Sequence, residues 1–476
     1  MDHAVRFSRR AGARRSGRVG AMNSGGARSI AATGRPHATG APGANWLTRL
    51  IVITAMLVAA ATAIYLGMDE TFGWDARVNC AAVDAYIAGL DPYFIKNLKD
   101  TKYSYPYLPV TLDAFRPLCA GGVLVAHYKA IYVVLAILCA VALPGFGGSR
   151  RSLRDSALRV IFVLGGFVGL EWILATGNFA ILSGLLTSVA LALLLRPARC
   201  KGQGNKSLPL QFAGAALLGL LTSFKLVYCP ILAALYLLPL RRSRKLLLIA
   251  VAAGAFALPV LISAVFYANL FPSWLSAISG QIPGQHSPGN DVNPSLLFLA
   301  LTLADHLGLV GSKLVVALLY GFAAVALVIA PFALTVWRMV AARRPADARS
   351  ALKWFDRWLI EHPVAAMRLV VLAMYALYLC APRLKEYAFF DVALYAAILV
   401  VDLPTVGLAV VLTIAVGLPA LASITGYVFI DGFDQLGIAL VCFWIMLQAQ
   451  SQSQAPEQVV RAAGIEPAQR LRAEGF

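Results

Sequence analysis

Residues 67–120, GMDETFGWDARVNCAAVDAYIAGLDPYFIKNLKDTKYSYPYLPVTLDAFRPLCA, form the one long polar interval between apolar segments in the first half of the chain. The interval carries seven of the 23 acidic residues of the protein, several prolines and a dense set of tyrosines. It begins directly after an apolar run at 46–65, which has the length of a membrane-spanning helix. We therefore interpret it as the first external loop of a membrane protein.

The composition of the whole chain supports this interpretation. Of the 476 residues, 59% are hydrophobic and only 13% are charged, and the mean hydropathy is +0.73. Such a composition is typical of a polytopic membrane protein. The net charge of +18 comes from residues 1–45, with eight Arg and one acid, and from short basic runs between apolar segments. This is the positive-inside pattern of membrane proteins, so we expect membrane lipids as partners and no nucleic acid.

The basic runs also assign the ends of the apolar segments to two sides of the membrane. They predict an all-α polytopic bundle of about 12 transmembrane helices at 46–449, with interfacial helices in the first external loop. Both termini are then cytoplasmic, and residues 1–45 and 450–476 are predicted to be disordered cytoplasmic tails. We expect the protein in the inner (plasma) membrane of the cell.

Motifs that would indicate a soluble catalytic domain are absent from the sequence. The seven Cys are scattered without a CxxC pair, so the sequence predicts no metal site and no disulfide framework. We find no Walker loop, no GxGxxG after a strand, no HExxH and no GxSxG. No soluble stretch is long enough for a nucleotide-binding domain, and we expect no cofactor. If the protein transfers a group outside the membrane, the activated donor must therefore be carried by a lipid.

The basic loops alone determined this topology, and it places four polar features on the external face. They are the 67–120 loop, Gly177-Asn178, Lys225 and the charged stretch 383–386. A single external site built from several helix ends explains this coincidence.

Two acids and three cations on this face have the chemistry of a catalytic site. Asp75 and Asp69 lie just after the first apolar run, so either carboxylate is placed to act as a general base toward a hydroxyl. Asp75 also starts a run with helical spacing, and an N-cap is its alternative role. Lys225 interrupts an apolar run, which indicates a functional partner such as a phosphate, with snorkelling to the surface as the alternative. Arg383 and Lys385 add two cations, and Arg suits bidentate phosphate contact.

Tyrosines offer aromatic faces for sugar rings in the extended stretch 103–107, which contains Tyr105. Anchoring at the membrane interface is the alternative role for this stretch.

The order of these features resembles that of the membrane glycosyltransferases of family 87, in the GT-C class, over roughly 47–430. The resemblance is carried by six short elements: Trp74-Asp75-Ala76-Arg77-Val78, the AGLDPY stretch at 88–93, Tyr105-Pro106-Tyr107, Gly177-Asn178-Phe179, Phe224-Lys225 with Pro230 downstream, and Ala381-Pro382 before Arg383 and Tyr387. Gly-Asn stands where the family usually has Gly-Gln. The late loop lacks the aromatic and His residues often found there in the family.

The resemblance implies a GT-C-like bundle and an inverting transfer of a sugar from a polyprenyl phosphate to a lipid-linked or envelope glycan on the extracytoplasmic face. Asp75 would deprotonate the acceptor hydroxyl. Lys225, Arg383 and Lys385 would bind the donor phosphate, and no metal would be required. Mannose and arabinose are the usual sugars of the family. Substrate binding is then expected at Asp69, Tyr93, Tyr105, Asn178 and Tyr387.

Two other functions compete with this interpretation. A multi-pass transporter or a lipid or glycolipid flippase would place charged groups at the bilayer midplane. The charges here gather at one face instead, which favours the enzyme. An accessory membrane protein without catalysis would tolerate replacement of Asp75, Lys225 and Arg383.

Overall fold

The computed structural model describes residues 43–68, 73–99, 101, 103–146, 152–195, 208–283, 293–309, 311–341, 351–426 and 432–452. Within these ranges the secondary structure is entirely helical, with connecting turns and no strand. The predicted terminal tails lie largely outside the described residues. The first helix begins at Gly43 and the last ends at Gln452, so the helical region extends slightly beyond the predicted limits of 46–449.

The described residues form nineteen α-helices, numbered in chain order. Their bounds are α1 Gly43–Gly67, α2 Trp74–Ile87, α3 Val110–Cys119, α4 Val123–Ala142, α5 Leu153–Gly165, α6 Gly169–Thr176, α7 Ala180–Leu195, α8 Leu208–Phe224, α9 Arg242–Phe266, α10 Phe271–Ile278, α11 Leu296–His306, α12 Lys313–Ala324, α13 Ala330–Ala341, α14 Ala351–Glu361, α15 Pro363–Leu379, α16 Phe389–Leu399, α17 Thr405–Leu412, α18 Leu418–Thr425 and α19 Phe433–Gln452.

Several of these helices are joined by tighter or wider helical turns. A 3₁₀-helix of 12 residues, Leu226–Leu237, follows α8. It contains Pro230, which has no N–H to donate to the α-helical hydrogen-bond pattern. Wider π-turns at Val325–Ile329 and Thr413–Gly417 lie inside the α12–α13 and α17–α18 segments. Such breaks let a helix change direction without leaving backbone groups unpaired in the apolar layer.

Seven described helical segments are long and apolar enough to cross a membrane, or eight if the bent pair α14–α15 counts as one span. Four other apolar helices, α7, α8, α11 and the 3₁₀-helix, have only 10–17 residues. The protein is therefore an all-helical polytopic membrane protein, but the predicted count of about 12 spans is not confirmed. The difference arises because several apolar segments of the sequence fold as helices shorter than the usual 20-residue span.

The core of the bundle lies around α15 and α16. Every residue of α16 is buried, and this helix packs against α5, α7 and α15. The loop between α15 and α16, residues 380–388, therefore leaves the centre of the bundle. Two side chains hydrogen-bond to the backbone of this loop. Ser295 Oγ donates to the Pro382 carbonyl at 3.0 Å, and Asn293 Oδ1 accepts from the Leu384 N–H at 2.8 Å.

A disulfide joins Cys80 in α2 to Cys119 at the end of α3. The expectation that the cysteines form no disulfide framework is therefore wrong for this pair. The two residues are 39 apart in sequence, but packing of α2 against α3 brings their Cα atoms to 5.2 Å. That separation suits a disulfide, whereas sequence spacing alone carries no such information.

Candidate active site

Asp75 is the second residue of α2 and faces the turn between α6 and α7. The helix starts after Gly73, whose φ of 89° is left-handed, and no side chain caps this end. The N-cap interpretation of Asp75 is therefore wrong. A Cβ atom at position 73 would lie 2.8 Å from the Tyr128 ring, so glycine is needed there for space as well as for its backbone angle.

A second glycine brings the end of α6 against the start of α2. Gly177 has a φ of 70°, and a Cβ atom there would lie 3.0 Å from Ala76 Cβ and 3.1 Å from Gly73 Cα. The Gly73 N–H donates to the Ala175 carbonyl at 2.8 Å, and the Tyr132 hydroxyl donates to the Gly177 carbonyl at 3.1 Å. The two helix ends are thus joined through their backbones, which places the residue after Gly177 beside Asp75.

That residue is Asn178, and its side-chain amide is fixed at both ends. Nδ2 donates to Asp75 Oδ2 at 2.6 Å, while Oδ1 accepts from the Ala180 N–H at the start of α7 at 2.8 Å. Asn178 also interacts with the Tyr387 hydroxyl. Because the α7 backbone orients the amide, the carboxylate of Asp75 has a fixed donor on one oxygen.

Lys225 lies between α8 and the 3₁₀-helix, where the backbone is extended. Its Nζ sits 4.4 Å from the centroid of the Tyr387 ring, a cation–π contact. Among the described residues, no carboxylate lies within ion-pair distance of Lys225. Asp75 and Asp391 are near enough to favour its charged form, and Arg383 opposes them. Lys225 therefore presents a cation to the same space that Asp75 and Tyr387 border.

The loop after α15 brings the remaining predicted cations to this region. Lys385 is close enough to stabilise the ionised form of Asp75, and Arg383 is exposed. Gln435 of α19 supports the loop by donating to the Glu386 carbonyl at 3.4 Å and to the Phe167 carbonyl at 2.5 Å.

Burial shifts the pKa values of the two central charged groups, Asp75 and Lys225, toward pH 7. It raises the pKa of Asp75 to about 6, against the opposing effects of the Asn178 hydrogen bond, Lys225 and Lys385. It lowers the pKa of Lys225 to about 8, against the favourable charges of Asp391 and Asp75. Both shifts follow from removal of a charge from water, and both groups remain mostly charged at neutral pH.

A cavity of about 280 Å³ opens from this cluster into the apolar part of the bundle. Lys225, Tyr107 and several other polar side chains line it, and most of the wall is aliphatic or aromatic, including Phe115, Phe179 and Phe224. A cation on the wall of a largely apolar cavity suits an amphiphile with an anionic head and a hydrocarbon chain.

Two predicted substrate-binding tyrosines are not brought to this cluster. Tyr93 and Tyr105 are completely buried, and their rings pack together with centroids 5.7 Å apart. The Tyr93 hydroxyl donates to the Tyr107 carbonyl at 2.8 Å, and the Tyr105 hydroxyl is hydrogen-bonded to the Thr111 hydroxyl at 2.5 Å. Both therefore hold the first loop together from inside. Asp69 lies outside the described residues.

Two residues in this region were not among the predicted site residues. Tyr107, the last tyrosine of the 103–107 stretch, lines the cavity and lies near Asp75 and Tyr387. Asp391 of α16 also lines the cavity and accepts a hydrogen bond from the Tyr378 hydroxyl at 2.8 Å. Asp391 interrupts the apolar run FFDVALYAAIL, which is the same signal that identified Lys225.

The described residues contain no group of three or more His, Cys, Asp or Glu side chains arranged to hold a metal ion.

Comparisons with known proteins bear on the chemistry of this cluster. No curated protein and no solved structure matches the chain. The family model of glycosyltransferase family 87 matches residues 105–361, a range that contains Asn178 and Lys225 and precedes the late loop. This match covers more than half of the chain, which therefore belongs to glycosyltransferase family 87 and is a membrane glycosyltransferase.

Proposed function

We propose that this enzyme moves a hexose or pentose, of the mannose or arabinofuranose type, from a polyprenyl phosphate to a hydroxyl of a lipid-linked or envelope glycan. The transfer inverts the anomeric centre. The observation that carries the proposal is the hydrogen bond from Asn178 to Asp75 beside the cation of Lys225. A fixed carboxylate and a nearby cation are the two groups that displacement of a phosphate by a hydroxyl requires.

Asp75 is the general base of this reaction. Its pKa of about 6 leaves it ionised at neutral pH yet basic enough to accept a proton from a reacting hydroxyl. The acceptor oxygen attacks the anomeric carbon from the side opposite the phosphate. The bond between that carbon and the phosphate oxygen breaks, and its electron pair leaves with the phosphate. Asn178 keeps one carboxylate oxygen oriented while the other receives the proton.

Lys225 binds the phosphate and stabilises the negative charge that develops on it. Its pKa of about 8 keeps it protonated at neutral pH, and a cation in a poorly solvated place interacts more strongly with an anion than a surface cation does. Lys385 and Arg383 add positive charge from the late loop. The isoprenoid chain of the donor occupies the largely apolar cavity that Lys225 lines. Asn178 and Tyr387 contact the sugar between the two charged groups.

The disulfide supports a site on the extracytoplasmic face of the plasma membrane. Disulfides form and persist in oxidising compartments and are rare in the cytosol. Cys80 lies in the same helix as Asp75, so an oxidising environment for one implies the same environment for the other. This agrees with the side that the basic loops assign to residues 67–120.

The test is sugar transfer in membranes from a panel of radiolabelled polyprenyl-phosphate sugars. The wild type is compared with Asp75→Asn and with the matched control Asp84→Asn, an exposed acid in the same helix. We expect label to move into glycolipid with the wild type and Asp84→Asn, and the rate to fall about 10²- to 10⁴-fold in Asp75→Asn, as for loss of a general base.

Two outcomes would overturn parts of the proposal. Equal transfer by Asp75→Asn and the wild type would remove Asp75 as the base and direct attention to Asp69. Transfer by the wild type from none of the polyprenyl-phosphate sugars would overturn the proposed donor. The panel also identifies the sugar.

A further inference from the structure

Asp391 lines the same cavity as Lys225 but has no part in the reaction steps described above. It belongs to α16, where every residue is buried, and only 5% of Asp391 is exposed. A carboxylate inside an apolar helix of a membrane protein is costly, so its presence points to a specific use.

Three hydroxyl groups from two other helices hold the Asp391 carboxylate in place. Tyr378 of α15 donates to Oδ2 at 2.8 Å. From α7, Ser183 donates to Oδ2 at 3.4 Å and Thr187 donates to Oδ1 at 3.5 Å. Hydrogen bonds from neutral donors favour the ionised carboxylate and leave its charge uncancelled. The carboxylate therefore has a fixed position on the cavity wall, where its charge acts on a cation in the cavity.

A chain of contacts connects Asp391 to the turn that carries Lys225. The ring of Tyr378, whose hydroxyl donates to Asp391, stacks on the ring of Tyr228, with centroids 4.3 Å apart and an angle of 7° between the planes. The Tyr228 N–H donates to the carbonyl of Lys225 at 3.0 Å. The two stacked rings thus hold the carboxylate and the backbone of Lys225 in a fixed relation to each other.

The charged groups around Lys225 give Asp391 the largest share in keeping it charged. Burial disfavours the ammonium form, Asp391 is the carboxylate that opposes this most, Asp75 of α2 comes next, and Arg383 of the late loop adds to the effect of burial. Tyr387 contributes only the face of its ring. The other titratable side chains on the cavity wall are tyrosines, which are neutral at pH 7: Tyr107, Tyr228, Tyr378 and Tyr395.

We propose that Asp391 is a positioning residue that holds the side chain of Lys225 charged at the cavity wall, ready for the donor phosphate. The inference rests on the proposed function, in which Lys225 binds that phosphate. Asp391 itself does not contact the donor and acts only through Lys225. Without Asp391, burial would leave more of the Lys225 amine neutral, and a neutral amine cannot stabilise a departing phosphate.

The test measures the protonation of Lys225 directly, without donor or transfer. The purified full-length protein in detergent is treated with acetic anhydride at a series of pH values, and acetylation of Lys225 is followed by mass spectrometry of its peptides. Only the neutral amine reacts, so the pH midpoint of the labelling rate reports the pKa of Lys225. Lys313, an exposed lysine at the start of α12, is the internal control.

Neutral and charged replacements of Asp391 are then compared. Asp391→Asn removes the charge but keeps an oxygen that accepts from Tyr378. We expect the labelling midpoint of Lys225 to fall by about one pH unit, because loss of a nearby negative charge favours the neutral amine. The smaller neutral variant Asp391→Ser should shift it in the same direction. Asp391→Glu, which keeps the charge, and Asp84→Asn, which removes an exposed acid of α2, should label like the wild type.

Two results would overturn the inference. Equal midpoints in the wild type and both neutral variants would show that Asp391 does not hold the charge on Lys225. A midpoint that falls as far in Asp391→Glu as in Asp391→Asn would attribute the shift to lost packing instead of lost charge. Neither result depends on sugar transfer, so the proposed function fails separately, if the wild type moves no sugar.

The pH profile of transfer gives a second readout. In Asp391→Asn the falling limb of kcat/KM near pH 8 should move to lower pH by about the same amount, while the rising limb near pH 6, assigned to Asp75, stays in place. A merely structural role would lower kcat/KM by the same factor at every pH. In the Lys225→Arg background, Asp391→Asn should leave the shape of the profile unchanged. A falling limb that stays at its wild-type position in Asp391→Asn would contradict the inference.

Discussion

Two lysines inside the helical bundle, Lys225 and Lys245, differ in whether a carboxylate of the protein pairs with them. Lys245 is completely shielded from solvent, and its Nζ lies 2.8 Å from Asp356 Oδ1 and 4.9 Å from the centre of the Tyr236 ring. Lys225 has an aromatic contact of the same kind, with Tyr387 at 4.4 Å. No described carboxylate, however, lies within ion-pair distance of it.

In the proposed function this difference separates a lysine that stabilises the fold, Lys245, from one that binds a ligand, Lys225. A buried cation is tolerated when a carboxylate of the same chain neutralises it. Lys245 meets this condition and ties α9 to α14. Lys225 lines a cavity instead, and its lowered pKa shows that its surroundings do not fully compensate for the loss of water. An anionic substrate would supply the missing partner.

The first prediction contrasts the two lysines in activity. Lys225→Met should lower the rate of sugar transfer about 10²- to 10³-fold, because it removes the cation that stabilises the departing phosphate. Lys245→Met should leave the rate per folded molecule near that of the wild type. The measurement is the initial rate of transfer in membranes, normalised to protein that elutes as a single species in detergent. Comparable losses in both variants would show that Lys225 has no special role in transfer.

The second prediction concerns stability, for which Lys245 should matter more than Lys225. Lys245→Met leaves Asp356 without its partner in a mostly buried place, and this should destabilise the fold by about 3–5 kcal/mol. Lys225→Met removes a charge that burial already disfavours, so it should unfold at the same temperature as the wild type or higher. Thermal unfolding of the purified variants in detergent measures both effects. A lower unfolding temperature for Lys225→Met would indicate a structural role for Lys225.

The third prediction concerns pH. The kcat/KM for transfer should rise with pH up to about 6, because Asp75 must lose a proton to act as a base, and fall above about 8, because Lys225 then loses its charge. Each limb should change about tenfold per pH unit. In Lys225→Arg the falling limb should vanish, because guanidinium stays charged over this range. A falling limb that persists near pH 8 in this variant would assign it to another group.

The fourth and smallest effect is expected for a double replacement. Lys245→Met combined with Asp356→Leu removes both charges of the pair, and the unfolding free energy should lie within about 1 kcal/mol of the wild type. No equivalent rescue is expected for activity at Lys225. A double variant as unstable as Lys245→Met alone would show that Lys245 stabilises the fold through contacts other than Asp356.

The sequence predicted the features that depend on local composition. The apolar run at 46–65 lies within α1, Gly43–Gly67. Lys225 was recognised because a charge in an apolar run is conspicuous. Lys245 was not, because it belongs to the basic run RRSRK and its burial depends on α14, more than 100 residues later.

The features that the sequence did not predict depend on contacts between distant segments. The pairing of Cys80 with Cys119 follows from how α2 packs on α3. The inward position of Tyr105, in place of the expected substrate contact, follows from its hydrogen bond with Thr111. Spacing alone did not separate Asp75 from Asp69, and the family resemblance made the choice between them. The structure places Asp75 beside Asn178 and near Lys225, and its role as the base stays a prediction.

The role of Lys225 in binding the donor phosphate is tested most directly by binding of a polyprenyl monophosphate without a sugar. The measurement is the dissociation constant of the radiolabelled lipid for the purified wild type, Lys225→Met and Lys245→Met. We predict that Lys225→Met weakens binding about tenfold or more, as for loss of a hydrogen bond to a charged group, and that Lys245→Met binds like the wild type. Equal binding by Lys225→Met and the wild type would contradict the assignment of Lys225 to the donor phosphate.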